Sequence, residues 1–315
     1  MVRQLLVRWG VWLEPVRPVA ELVELAQLAE SEGAAACFVA DEGTDRDVWV
    51  ALTAIVLGTQ RLVVAPAITN PFSRHPVTSA AAAASLAELA PGRVWHGLGV
   101  GGSRVRVPLG LDPPKPYTAL RKALELSQDL LAGNEHGPAK LGWVDSSRPV
   151  PIAVAGRGPR VQRLAAEQAD WVILSAEPLA TLTVTAQRLR AHGARLAWSA
   201  YLAYDGEQRR KVLGHFSYMA LDAPPEIRTA AGLDDERVAA VREAMLAGHL
   251  DAAAELLPDS LVDHYAVAGD PAECTARIAT LAASVDLFLL PMNDVAGAAA
   301  HIVRSAAILR SVSPS

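Results

Sequence analysis

Apolar residues along this chain fall into two alternating patterns: short β-branched runs, and longer segments with the apolar spacing of a helix. Residues 5–13 read as a strand, and residues 18–32 as a helix whose Val19, Leu22, Val23, Leu25, Ala26, Leu28 and Ala29 make one broad buried face closed by Gly33. Residues 35–40 form the next strand and 47–57 the helix after it. Residues 61–68 are a third strand, ended by Thr69-Asn70-Pro71, whose side chains suit hydrogen bonds to a ligand or to the local backbone. Pro76 suits a first helical position, residues 80–89 carry strong helix formers, and Pro91-Gly92 stops them. Residues 94–100 are a fourth strand running into Gly99, Gly101 and Gly102.

The pattern then repeats, with strands at 151–155, 171–175, 195–203 and 286–290 and helices at 117–132, 159–168, 179–192 and 295–309. Residues 133–149 are a polar link, and 205–260 are helical insertions. Taken alone, the unit at 61–103 fits a (β/α)₈ barrel or an open doubly wound sheet. Eight strands alternating with helices match the α/β TIM barrel, as one domain over 1–315.

With 315 residues and 51% hydrophobic content, the chain is long enough and apolar enough for such a core. No apolar stretch approaches ~18 uncharged residues, and no leader pattern is visible, so neither a membrane span nor a signal peptide is expected. The net charge of −5 is spread without a basic face, which argues against nucleic acid as a partner. Cys37 and Cys274 stand apart without CxxC spacing, as in a reducing cytoplasm. The histidines show no HxxxH or HxH pairing, so no metal site is expected. His75 reads as structural at a helix entry.

Candidate chemistry gathers where strands stop. Gly97 to Gly102 match G-x-G-x-x-G, but the glycines lead into SRVRVPLG rather than a helix, so a dinucleotide turn is disfavoured. The proline-rich segment 103–116 is too long for a simple connector and reads as part of a site rim. Gly156-Arg157-Gly158-Pro159-Arg160 lies between a strand and a helix, where free N–H groups and positive charge favour an anion. Asp41-Glu42 closes the second strand. Glu42 could hold a proton for acid catalysis or simply be a solvated carboxylate beside Arg46.

The segments AITNPFSRHP and LAPGRVWHGLGVGG, with those at 41–52, 150–174 and 256–271, resemble the bacterial luciferase-like superfamily of flavin- and deazaflavin-dependent enzymes. Within it the likeness is greatest to the methylenetetrahydromethanopterin reductase group, which uses coenzyme F-420. The resemblance implies a barrel that binds coenzyme F-420, or alternatively FMN, and acts on a small-molecule substrate as a cytoplasmic homodimer. Hydride transfer to a C=N or activated C=C bond is the main expectation. An FMN-dependent monooxygenase and a non-catalytic flavin-binding paralogue are the alternatives.

The resemblance also implies a non-prolyl cis peptide between Ala67 and Ile68 in a strand bulge beneath the cofactor ring. It assigns cofactor contacts to Asp41, Ala67, Ile68, Thr69, Asn70, Gly99, Gly101, Gly102, Ala155, Gly156, Arg157, Gly158, Pro159 and Ser175, with the phosphate on the 156–159 loop. The chain departs from its relatives at three places. Glu42 stands where many carry His, Ser103 where an acid is common, and Trp171 where Asp-Gly is usual. Glu42 is accordingly the catalytic candidate, with Ser103 and His96 as fallback proton sources.

Overall fold

The computed structural model describes residues 7–312, except 107, 113, 223, 224, 248 and 293–296. Eight parallel strands form one sheet: β1 (Trp9–Leu13), β2 (Ala36–Val39), β3 (Val63–Pro66), β4 (His96–Leu98), β5 (Ile152–Ala155), β6 (Trp171–Ser175), β7 (Arg195–Ser199) and β8 (Leu287–Met292). Their order is β3-β2-β1-β8-β7-β6-β5-β4. Isolated parallel bridges, Val64 to Val94 and Thr69 to Leu98, join the two outermost strands and curl the sheet into a barrel.

Eight helices alternate with the strands: α1 (Val19–Ser31), α2 (Val48–Gly58), α3 (Pro76–Leu89), α4 (Pro116–Leu131), α5 (Pro159–Gln168), α6 (Leu179–Arg190), α7 (Pro271–Leu281) and α8 (Ala298–Ser311). Their ends carry local signals. Asp47 accepts from the N–H groups of Trp49 and Val50 at the start of α2, a cap of about 1 kcal/mol. Asp270 and Glu273 form a reciprocal capping box at α7. His75 is indeed structural: its Nδ1 accepts from Val77 N–H at 3.3 Å to open α3.

The strands alternate strictly. Trp9, Val11 and Leu13 of β1, Cys37 and Val39 of β2, and Val172 and Leu174 of β6 face the ring of helices. Ala36, Phe38, Ala65, Trp95, Ala153, Trp171, Ile173, Ala197, Leu287 and Leu289 face inward and fill the barrel. Trp95 and Trp171 stack at 4.4 Å, and Phe38 meets Trp95 edge-on at 5.5 Å. Each such pair contributes about 0.5–1.5 kcal/mol beyond area burial. Alanines at 36, 65, 153 and 197 leave room for these rings, which gives Trp171 a packing role. No helix among the described residues is long and apolar enough to cross a membrane.

His96 points outward from β4, stacked on Trp49 and 3.3 Å from the Ser127 hydroxyl. Complete burial pushes its pKa down to about 4. The imidazole is therefore neutral near pH 7 and away from the barrel mouth, which removes it as a proton source. Because the folded pKa lies below the unfolded value near 6.5, its contribution is complete above that value and falls as pH drops toward 4. The full span is about 3 kcal/mol. Urea unfolding across that range is expected to show the loss in the wild type and a flatter profile in His96→Gln.

Between β7 and α7 the helices Gly206–Asp222, Pro225–Ala230, Asp235–Leu246, Leu250–Glu255 and Ser260–Tyr265 surround their own apolar cluster, with Phe216, Val241, Leu261 and Val262 at its centre. A short parallel pair, Tyr201–Ala203 with Ala266–Ala268, roots this insertion beside the barrel. Arg209 staples it, donating to Asp259 and Asp263 at 2.7–2.9 Å.

Several expectations shift. Residues 201–203 leave the seventh strand for that second pair. A four-residue helix, Ser103–Arg106, follows the β4 glycines where none was expected. The polar link holds a two-stranded hairpin, Glu135–His136 with Ala139–Lys140. The expected strand start at 5–6 and helix start at 295–296 lie outside the described residues.

Candidate active site

The inward positions nearest the carboxyl ends of the strands open into a cavity of about 670 Å³. Trp12 reaches it from β1, Ala155 from β5, Ser175 from β6, Ser199 from β7 and Pro291 from β8, with Ala67 and Gly101 beyond β3 and β4. Tyr201, His215 and Tyr265 cover it from the insertion. In a (β/α)₈ barrel this end carries the chemistry.

Asp41, Glu42, Ala67, Ile68, Gly101, Gly102, Ala155, Gly156, Arg157, Gly158 and Ser175 all line this cavity. The peptide between Ala67 and Ile68 is cis. Four of the residues singled out from the sequence lie off the cavity wall. Asn70 is spent on its own turn: its Oδ1 accepts from Phe72 and Ser73 N–H at 3.0 Å, and its Nδ2 donates to the Ser73 hydroxyl. Thr69 is fully buried at the bridge to Leu98. Gly99 seats the Ile68 side chain, since a Cβ there would stand 2.7 Å from Ile68 Cδ1. Pro159 begins α5 without reaching the cavity.

The two neighbouring carboxylates behave differently. Asp41 is 4% exposed and receives a two-pronged contact from Arg74, at 2.8 Å from Nε and 3.2 Å from Nη2. Arg74 also reaches Asp47 at 2.9 Å, tying the β2 end to the α2 cap. Asp41 is thus committed to scaffolding. Glu42, one residue on, is half-buried on the cavity wall.

The loop after β5 sits on a buried polar bridge. Gln162 of α5 donates to the Arg157 carbonyl at 3.3 Å and to Glu177 at 3.1 Å, while Arg188 holds its oxygen at 2.7 Å. Glu177 also accepts from the hydroxyls of Thr181 and Thr185. It is preceded by Ala176, which lines the cavity with φ 55, a left-handed conformation costing about 1–2 kcal/mol for a residue with a Cβ. The loop is thereby fixed with Gly158 at the α5 N-terminus and open space on its Cβ side. Burial pushes the Tyr265 phenol up to about 12, with Arg157 pulling the other way, so it faces the cavity as a neutral hydroxyl. Arg160 instead covers the Tyr117 ring at 3.8 Å.

Val105 and Arg106 bring the segment expected as a rim onto the wall, and Glu14, Val100, Val161 and Gly214, which were not singled out from the sequence, complete it. Strand parity was the available signal for Trp12, Ser199 and Pro291. Tyr201, His215 and Tyr265 arrive through the insertion, which no periodicity in the barrel strands announces. No cluster of three or more His, Cys, Asp or Glu side chains among the described residues is placed to hold a metal.

Fold and cavity define a (β/α)₈-barrel enzyme with its site at the strand carboxyl ends. The description of the luciferase-like monooxygenase family matches residues 5–286, and the chain belongs to that family. It is 26% identical over 296 residues to the 5,10-methylenetetrahydromethanopterin reductase of Archaeoglobus fulgidus, covering 86% of this chain and 89% of that protein. The coenzyme F-420-dependent tetrahydromethanopterin reductase of Methanopyrus kandleri superposes with a TM-score of 0.82 at 21% identity, covering 95% of this chain and 97% of that one. An F-420-dependent secondary alcohol dehydrogenase, solved with an F-420–acetone adduct, gives 0.75 at 19% identity, covering 98% and 99%.

Proposed function

We propose that this chain is an oxidoreductase that binds reduced coenzyme F-420 and passes hydride to a small organic acceptor with a C=N or activated C=C bond. The observation that carries this reading is one cavity that runs from Ala67, Ile68, Gly101 and Gly102 to the α5 N-terminus, whose free N–H groups suit an anion. The reductases and the dehydrogenase described above support it.

The residues present fit such a cofactor. The floor lacks side chains large enough to obstruct a ring. The space on the Cβ side of Gly158, the exposed first turn of α5 and the Arg157 guanidinium suit a phosphate. When bound, the deazaflavin supplies the hydride. Trp12, Tyr201 and Tyr265 exclude water around the acceptor, and Glu42 holds the proton that the atom beside the reduced carbon must gain. A single domain over 1–315, assembled as a cytoplasmic homodimer, belongs to the same proposal.

Titration of the purified protein is expected to show tighter binding of coenzyme F-420 than of FMN. Co-purification of tightly held FMN, with no deazaflavin binding, would overturn the reading. Gly158→Asp places an anion among the N–H groups of the α5 start without steric conflict. Its cofactor affinity is expected to fall by about 2 kcal/mol or more, with the melting temperature of the cofactor-free protein little changed. Unaltered affinity in the folded variant would move the phosphate elsewhere.

A further inference from the structure

Arg106 ends the one-turn helix that follows Gly102, and it lines the cavity. Its Nε is sealed from solvent and meets no acceptor among the described residues. Other arginines of the barrel are engaged by protein oxygens: Arg74 by Asp41 and Asp47, Arg93 by the carbonyls of Val56 and Thr59, Arg188 by Gln162. A buried donor left without an acceptor costs stability, and a bound ligand that reorients the head can recover that cost.

The surroundings indicate what such a ligand carries. β4 and β5 are paired, Leu98 opposite Val154, so the loop bearing Arg106 and the loop bearing Arg157 leave adjacent strands at one rim. Across the cavity, the ends of β1 and β2 supply Glu14, Asp41 and Glu42. Arginine side chains thus lie on one side of the cavity and carboxylates on the other, and an oxyanion is favoured on the arginine side.

We propose that Arg106 is an oxyanion-binding residue that, with Arg157, takes a carboxylate or phosphoryl group at the β4/β5 rim. A planar guanidinium binds either group through paired hydrogen bonds, which makes arginine better suited here than lysine. The group belongs either to the cofactor's phosphate-bearing tail or to an acidic acceptor. The choice between these sources rests on the F-420 reading, whereas the anion site does not.

Wild type, Arg106→Gln and Arg106→Lys are compared after melting curves establish that all three fold. Calorimetric titration of the cofactor-free protein with inorganic phosphate at low ionic strength is expected to show affinity about tenfold weaker in the Gln variant, with Lys between. The cofactor arm uses F-420 and the deazaflavin that lacks its phosphate. A selective loss for F-420 assigns the oxyanion to the cofactor. The acceptor arm uses 1-pyrroline-2-carboxylate and 1-pyrroline with cofactor-loaded protein. A selective loss for the carboxylate, with F-420 affinity unchanged, assigns it to the acceptor. If Arg106→Gln matches wild type for phosphate, F-420 and both pyrrolines, the proposal is overturned. If wild type binds phosphate through Arg106 but no deazaflavin, the anion site stands and the F-420 reading fails.

Discussion

Gly97→Ala is expected to cost the protein about 3 kcal/mol or more of unfolding free energy, the upper end for overpacking a closed core. A Cβ at position 97 would lie 1.9 Å from the Pro66 carbonyl oxygen, and the obstacle is backbone rather than a side chain that can turn away. The strain falls where β4 and the end of β3 approach, at the seam held by the bridges Val64–Val94 and Thr69–Leu98. Gly102→Ala is the control, because a Cβ there meets nothing within 4 Å. Urea midpoints measured side by side should separate the two variants widely. A wild-type midpoint for Gly97→Ala would mean that the seam yields more easily than its geometry implies.

The largest effect on turnover is expected at Glu42. Reduction of an imine or enone adds hydride at one atom and a proton at its neighbour, and positioned acid catalysis contributes typically ~10²–10⁴-fold. Asp41 is held by Arg74, and His96 is buried behind β4. Ser103 has its side chain outside the described residues. With Glu42 as the proposed proton donor, Glu42→Gln should lower kcat within that range while leaving cofactor affinity nearly unchanged. Wild-type turnover in the Gln variant, measured with any acceptor that the enzyme reduces, would return Glu42 to a loop-shaping role.

The barrel was legible because its strands alternate and its helices carry local stop signals: Gly33 and Pro91-Gly92 each act within a few residues of where they sit. The floor of the cavity was legible for a different reason. Glycines at 101 and 102 and the Ala67–Ile68 step resemble known relatives, and the structure places them on one wall. What escaped was set by long-range geometry. Asn70 looks the same in sequence whether it faces a ligand or closes its own turn, and only the positions of the Phe72 and Ser73 amides decide it. Gly99 is required for a reason the sequence does not display, since a Cβ there would strike the Ile68 side chain. Glu14 reaches the same cavity as Arg106 through the barrel's curvature, which no local pattern encodes.

The insertion between β7 and α7 has a core of its own around Phe216 and Leu261, yet it lends Tyr201, His215 and Tyr265 to the cavity. Floor and roof therefore rest on separate apolar cores. Substitutions that reshape the roof face need not disturb the strand ends, and changes at the strand ends need not unsettle the roof. One contiguous stretch of the chain, 201–268, thus sets the shape of the cavity's roof, while the strand ends set its floor.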